Sequence, residues 1–186
     1  DTLKCKCSIT SPPLYVKGKV ITGMAGGSGG GRGHIQAVDA RTGSLVWRFD
    51  TVPAPGEPGS ETWAGDSWKN GGVSTWLQGS YDPDLNVVYW GTGDPYPNLR
   101  GETREGSNLF SSSLLALDAD TGKLKWYYQE IPHDLFDYDS AMEPVLFDAN
   151  VGGRVRKLVL HSSKNGYAYL LERDTGKFVR AFPFAA

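Results

Sequence analysis

The chain reads as an all-β protein made of repeated four-stranded sheets, on three observations. Its 24 glycines and 11 prolines are scattered through 186 residues instead of collecting in a linker. The segments between them are short and rich in Val, Ile, Leu, Tyr and Trp, residues that suit a pleated, partly buried surface. One hairpin-like segment recurs along the chain, the mark of a repeat architecture. No stretch keeps a capped apolar period of 3.6 residues, so helices are expected only as short turns within loops.

Taken in order, the expected strands are residues 14–16, 20–22, 35–39 and 45–49, then 87–91, 114–118 and 124–128, then 157–161, 167–172 and 178–182. The repeat spans the third and fourth of these. Ala37-Val38-Asp39-Ala40-Arg41-Thr42-Gly43-Ser44-Leu45-Val46-Trp47 returns as Ala116-Leu117-Asp118-Ala119-Asp120-Thr121-Gly122-Lys123-Leu124-Lys125-Trp126, with Ala, Asp, Gly and Trp in register. A weaker third copy runs from Leu170 to Arg180 and has lost the tryptophan. Each copy predicts strand, tight turn, strand: the Asp and Thr bond the turn backbone, and the Gly takes the positive φ of a hairpin bulge. The tryptophan is a flat apolar plate that one sheet would expose and a second sheet stacked on it would bury, so sheets repeated around an axis satisfy every copy. The unequal spacing of Gly43, Gly122 and Gly176 places a long insertion at 52–75 or 94–111, where loops on one face build sites.

Composition removes several function classes. Nineteen Lys and Arg against 21 Asp and Glu leave a formal charge of −2, which supplies no electrostatic reason to bind nucleic acid or an anionic membrane. No apolar run approaches a membrane span, and the first residues lack a signal-peptide pattern. Cys5 and Cys7 are too few for a disulfide framework or a four-ligand zinc site. The glycine-rich loop at 23–33 fits no dinucleotide-binding register and precedes no helix pattern. His34, His133 and His161 stand apart from one another, which argues against a histidine zinc site and for structural or surface roles.

Asp134, Asp137 and Asp139 fall within six residues, and three carboxylates so close repel unless a cation or a proton intervenes. Taken alone, such aspartates are ordinary loop formers. Asp94, before Pro95, is by itself an ordinary turn starter.

The docking pattern Ala-x-Asp-x-x-x-Gly-x-x-x-Trp resembles that of the quinoprotein alcohol dehydrogenases, eight-bladed propellers that use pyrroloquinoline quinone (PQQ). Residues 62–72 (Thr-Trp-Ala-Gly-Asp-Ser-Trp-Lys-Asn-Gly-Gly), 89–95 (Tyr-Trp-Gly-Thr-Gly-Asp-Pro) and 132–139 (Pro-His-Asp-Leu-Phe-Asp-Tyr-Asp) follow the family's order and approximate spacing. The resemblance covers nearly the whole chain. It implies a partial propeller domain over residues 1–186, with blades near 10–52, 73–130 and 140–184, and the remaining blades supplied elsewhere in a longer parent chain. Such a piece is expected to be marginally stable and inactive alone.

The resemblance also implies roles. Asp137 falls at the catalytic base. Asp94 falls at an asparagine metal ligand, and Asp139 at the extra carboxylate of the lanthanide-using branch, which sets the choice between a lanthanide and Ca2+. Ser28 falls where the family carries a glutamate ligand. Ser28, Asp94, Asp137 and Asp139 together keep three negative charges, so the two substitutions compensate in charge. For PQQ, Trp76 matches the stacking floor, Ser74 and Thr10 match carboxylate-binding hydroxyls, Gly26 and Gly27 match backbone contacts, and Lys164 matches the basic group at the quinone oxygens. The implied function is oxidation of a small primary alcohol to an aldehyde in the periplasm, with cytochrome c as electron acceptor. The alternative is a non-catalytic propeller that serves as an assembly scaffold and needs none of Asp137, Asp139 or Lys164.

Overall fold

In the computed structural model, residues 7–185 are described. Among them the chain forms three four-stranded antiparallel sheets, each from consecutive strands. The first holds β1 (Leu14–Val16), β2 (Lys19–Thr22), β3 (His34–Asp39) and β4 (Leu45–Asp50). The second holds β5 (Ser80–Asp82), β6 (Val87–Gly91), β7 (Ser113–Asp118) and β8 (Leu124–Gln129), and the third β9 (Val145–Val151), β10 (Arg154–Ser162), β11 (Tyr167–Glu172) and β12 (Phe178–Pro183). Every expected strand is present. Two were not anticipated. β5 is only three residues long, and β9 carries Asp148 and Asn150, which disfavour strands; it forms because it pairs with β10 from Arg154↔Val151 to Leu160↔Val145. Helical structure among the described residues is confined to the 3-10 turns Gly27–Gly29, Ser60–Thr62, Ser67–Asn70 and Gly101–Thr103.

The middle sheet is buried on both faces, which explains why β6 and β7 read as continuous apolar runs. Their side chains alternate between two cores, as period-2 strands require. Val88, Trp90, Leu115 and Leu117 join Ile21, Ile35 and Trp47 of the first sheet. Val87, Tyr89, Leu114 and Ala116 join Val159 and Leu171 of the third.

The repeated turns dock as their composition demands. Asp39 Oδ1 accepts from the amides of Arg41 (3.0 Å) and Thr42 (2.8 Å) and from the Thr42 hydroxyl (3.0 Å), and Asp118 does the same with Asp120 and Thr121. Pairing slips by one residue at Ala37/Val38, Ala116/Leu117 and Leu170/Leu171, the same bulge in all three sheets. Trp47 lies against the Gly122 turn of the next sheet, donating its indole N–H to the Ala119 carbonyl at 3.2 Å. Trp126 repeats this on the Gly176 turn, donating to the Arg173 carbonyl at 3.3 Å. Glycine is required at both turns: φ is +69° and +71°, and a Cβ would come within 2.5 and 2.6 Å of the indole ring carbons.

Because strands alternate in direction, every connection from an even-numbered strand to the next odd-numbered one falls at the same end of its sheet, opposite the docking turns. The long segments between β4 and β5 and between β6 and β7, the two alternative places expected for an insertion, both fall at that end. So do the glycine-rich loop after β2, the aspartate loop after β8 and the Lys164 turn after β10.

Candidate functional site

Backbone hydrogen bonds stitch these loops to one another. The Thr75 amide donates to the Met24 carbonyl (2.8 Å), Gly93 to Ser74 (2.7 Å), Val73 to Asp94 (3.0 Å), Ser140 to Thr92 (3.1 Å) and Lys164 to Asp139 (3.2 Å). Segments far apart in sequence are thereby laid side by side: the glycine loop, Ser74, Asp94, Asp139 and Lys164. Close approach needs glycine at two points. A Cβ on Gly27 would lie 3.0 Å from the Ser74 side chain, and one on Gly93 would lie 2.7 Å from Asp139 Oδ1 and 3.0 Å from Ser74 Oγ.

Asp94, Asp137 and Asp139 each bring one carboxylate oxygen to within 4.8 Å of the others. Asp94 and Asp139 are buried and Asp137 is exposed. Asp139 is well partnered: Oδ1 accepts the Asp94 amide at 3.1 Å and Oδ2 pairs with the Lys164 ammonium. Lys164 also donates to the Asp137 carbonyl at 3.2 Å. Burial pulls the Lys164 pKa down, but the hydrogen bond and charge of Asp139, with Asp137 and Asp94 behind it, outweigh burial and hold the ammonium protonated. Asp94 differs. Its Oδ2 is buried without any hydrogen-bond partner, and burial, followed by the charges of Asp139, Asp137 and Asp134, pushes its pKa up to about 8. A carboxyl group raised by burial and by its anionic neighbours, with one oxygen left unpartnered, has the chemistry to take a hard cation in place of its proton.

The other candidates lie around this cluster. Ser74 is buried between Gly27 and Gly93, and Gly26 opens the 3-10 turn with φ +113°. Trp76 is half-buried, and Thr10 donates its hydroxyl to the Trp76 carbonyl at 3.0 Å. Residue 8 pairs with Ala25, so the segment before β1 runs along the glycine loop. Ser28 follows Gly27 in the glycine loop and is exposed. The cavity of about 440 Å³ between the first two sheets, lined by Arg48, Phe110 and Leu124 among others, contains none of the candidates.

Three features escaped sequence reasoning. Asp134, grouped there with Asp137 and Asp139, is turned into its own loop: Oδ1 accepts the Phe136 amide (2.8 Å), and Oδ2 accepts the Tyr138 amide (2.8 Å) and the Ser112 hydroxyl (3.2 Å). It wraps the chain so that Asp137 takes a left-handed φ of +61°. Asn98 donates its side-chain amide to Asp137 Oδ1 at 3.0 Å, and Arg104 is fully buried beneath both loops. No motif or spacing marks Asn98 or Arg104. His161 is also a surprise in degree: it is wholly buried, with Nδ1 2.7 Å from Glu130 and Nε2 2.9 Å from the Met142 carbonyl.

Residues 2–182 match the family model described as PQQ, glucose/ethanol/alcohol dehydrogenase, beta-propeller domain. The chain belongs to this family. Its sheets are therefore blades of a quinoprotein β-propeller. It is 42% identical to the quinoprotein alcohol dehydrogenase PedH of Pseudomonas putida over 95% of this chain and 32% of that protein. It is 38% identical to the lanthanide-dependent methanol dehydrogenase of Methylacidiphilum fumariolicum, again over 95% of this chain and 32% of the relative. Among solved structures, the quinohemoprotein alcohol dehydrogenase of Comamonas testosteroni superposes with a TM-score of 0.91 at 40% identity, over 97% of this chain and 29% of that one. A europium-containing methanol dehydrogenase does so with a TM-score of 0.92 at 37% identity, over 98% and 35%. The chain thus spans about a third of the length of these curated relatives.

Proposed function

We propose that this protein oxidises a primary alcohol to an aldehyde with PQQ as cofactor, beside a hard cation held by Asp94, Asp137 and Asp139, and that the electrons pass on to cytochrome c. The observation that carries the reading is the cluster of three carboxylates, one of which, Asp94, keeps a buried Oδ2 without a hydrogen-bond partner. That donor set fits the cation: all oxygen, and three negative charges once Asp94 gives up its proton, which suits a trivalent lanthanide better than calcium. The surroundings also fit the quinone, with a half-buried Trp76 face, glycines admitting close backbone approach, and Ser74 and Lys164 as donors. When bound, the quinone would supply the acceptor for the hydride of the carbinol carbon, and the cation would supply Lewis acidity.

The remaining work belongs to the chain. Asp137 takes the hydroxyl proton: it is the exposed member of the cluster, and Asn98 holds its Oδ1 while leaving Oδ2 available. Asp139 anchors Lys164, fixing a positive charge at the rim of the cluster. Ser28, short, neutral and exposed, reaches the cation through its hydroxyl or a water, so the charge at this site comes from Asp94 instead. The compartment we propose is the periplasm. The test is to reconstitute the full-length protein with PQQ and either calcium or lanthanum and measure dye-linked alcohol oxidation. Activity with lanthanum alone supports the reading. Inactivity with both ions overturns it in favour of a non-catalytic scaffold.

A further inference from the structure

We propose that Arg104 is the positioning residue of this site, acting through Asn98 to set where the Asp137 carboxylate stands. The inference rests on the catalytic role proposed for Asp137 and adds how the fold holds that group. The guanidinium is fully buried, in a segment whose only regular structure is the 3-10 turn Gly101–Thr103. Its Nε donates to the Pro97 carbonyl (3.0 Å), and Nη2 donates to the carbonyls of both Asn98 (2.8 Å) and Asp134. Nη1 donates to Asn108 Oδ1 (2.8 Å), whose amide returns a bond to the Arg104 carbonyl (2.7 Å). One rigid fork therefore ties the loop that leaves β6 to the loop that leaves β8. On the far side of that tie, Asn98 Nδ2 reaches Asp137 Oδ1.

Burying a cation is costly, and this one makes no ion pair among the described residues; it faces carbonyl oxygens. A fold that needed only packing would place an apolar side chain here. What arginine supplies is five donors in a planar fork, enough to satisfy backbone oxygens of two loops that no strand pairing organises. Lysine, with three donors on a single atom, cannot span the same set. Asp137 needs such support because it is exposed and held in a left-handed backbone conformation unusual for a residue other than glycine.

The experiment compares full-length wild type with Arg104→Lys, Asn98→Ala and the double variant. It measures kcat and KM for the alcohol, and Tb3+ binding to the cofactor-free protein by tryptophan-sensitised luminescence. Each single variant is expected to lower kcat about tenfold with KM within about twofold, to weaken Tb3+ binding about fivefold, and to leave the double variant no worse than the poorer single. Asn98→Ala, at a half-buried position, should melt like wild type, so it carries the test alone if Arg104→Lys fails to fold. Wild-type kcat and Tb3+ affinity in Asn98→Ala, or losses that multiply in the double variant, overturn the positioning role and leave the site itself standing. Failure of the wild type to bind Tb3+ removes the site and this role with it.

Discussion

Replacing Asp94 by asparagine separates a metal ligand from an ordinary buried carboxyl. With its pKa at about 8, Asp94 in the cation-free protein is protonated roughly ten to one at pH 7, so asparagine nearly reproduces the group already there. Stability without metal should therefore change little. Metal uptake should change greatly, because a cation must displace the Asp94 proton and asparagine has no charge to offer in its place. For wild type, one released proton makes the apparent affinity rise about tenfold per pH unit from pH 6 towards pH 8 and then level off. In Asp94→Asn that slope should vanish, and affinity at pH 8 should fall by at least about tenfold to a hundredfold, the range found when groups supporting a metal are removed. The assay is a Tb3+ titration of the full-length protein at pH 6, 7 and 8, with thermal melts of the cation-free proteins alongside. Unchanged affinity, or a slope that persists in the variant, would refute the reasoning, because the proton released would then come from another group.

Three further outcomes follow from the geometry. Gly93→Ala places a methyl 2.7 Å from Asp139 Oδ1, so it should weaken Tb3+ binding at least tenfold while lowering the melting temperature only modestly; equal affinity would mean that Asp139 is not a ligand. Trp47→Ala removes the buried plate docked on the Gly122 turn and should cost about 3–5 kcal/mol in denaturant unfolding, against little change for an exposed residue such as Tyr15. Burial lowers the pKa of His161, but the charge and hydrogen bond of Glu130 and the Met142 carbonyl outweigh it, so the folded-state value lies above the ordinary 6.5. That pairing stabilises fully below about pH 6.5 and is lost as pH rises through the folded value. Melting points of wild type should therefore decline over that upper range while those of Glu130→Gln start lower and stay flat, and parallel profiles would contradict the pairing.

Much of the architecture was legible because its signals are local. A turn that needs Asp, Thr and a left-handed Gly, followed by a tryptophan, writes the same constraint into the chain at 39–47 and 118–126, and period-2 burial does the rest. Strands β5 and β9 were not legible, because their pairing partners, not their own residues, make them strands. In the site, the resemblance singled out Asp94, Asp137, Asp139, Ser74 and Lys164, and the structure brings these onto adjoining loops. Asp134 carries the same chemistry as its two neighbours, and only the direction of its hydrogen bonds separates a loop-former from a ligand.

Residue identity alone determined which groups could bear charge, stack or bind oxygen-loving ions, and the repeat alone determined that sheets must stack. Tertiary structure decided the rest: that Asp94 is buried with Oδ2 left unpaired, that Lys164 pairs with Asp139, that Ser28 is exposed, and that a buried guanidinium ties two loops together. The reason is physical. Propensity and turn chemistry act between residues a few positions apart, whereas desolvation and charge–charge coupling depend on distances between groups dozens of residues apart, which exist only once the loops have been laid side by side.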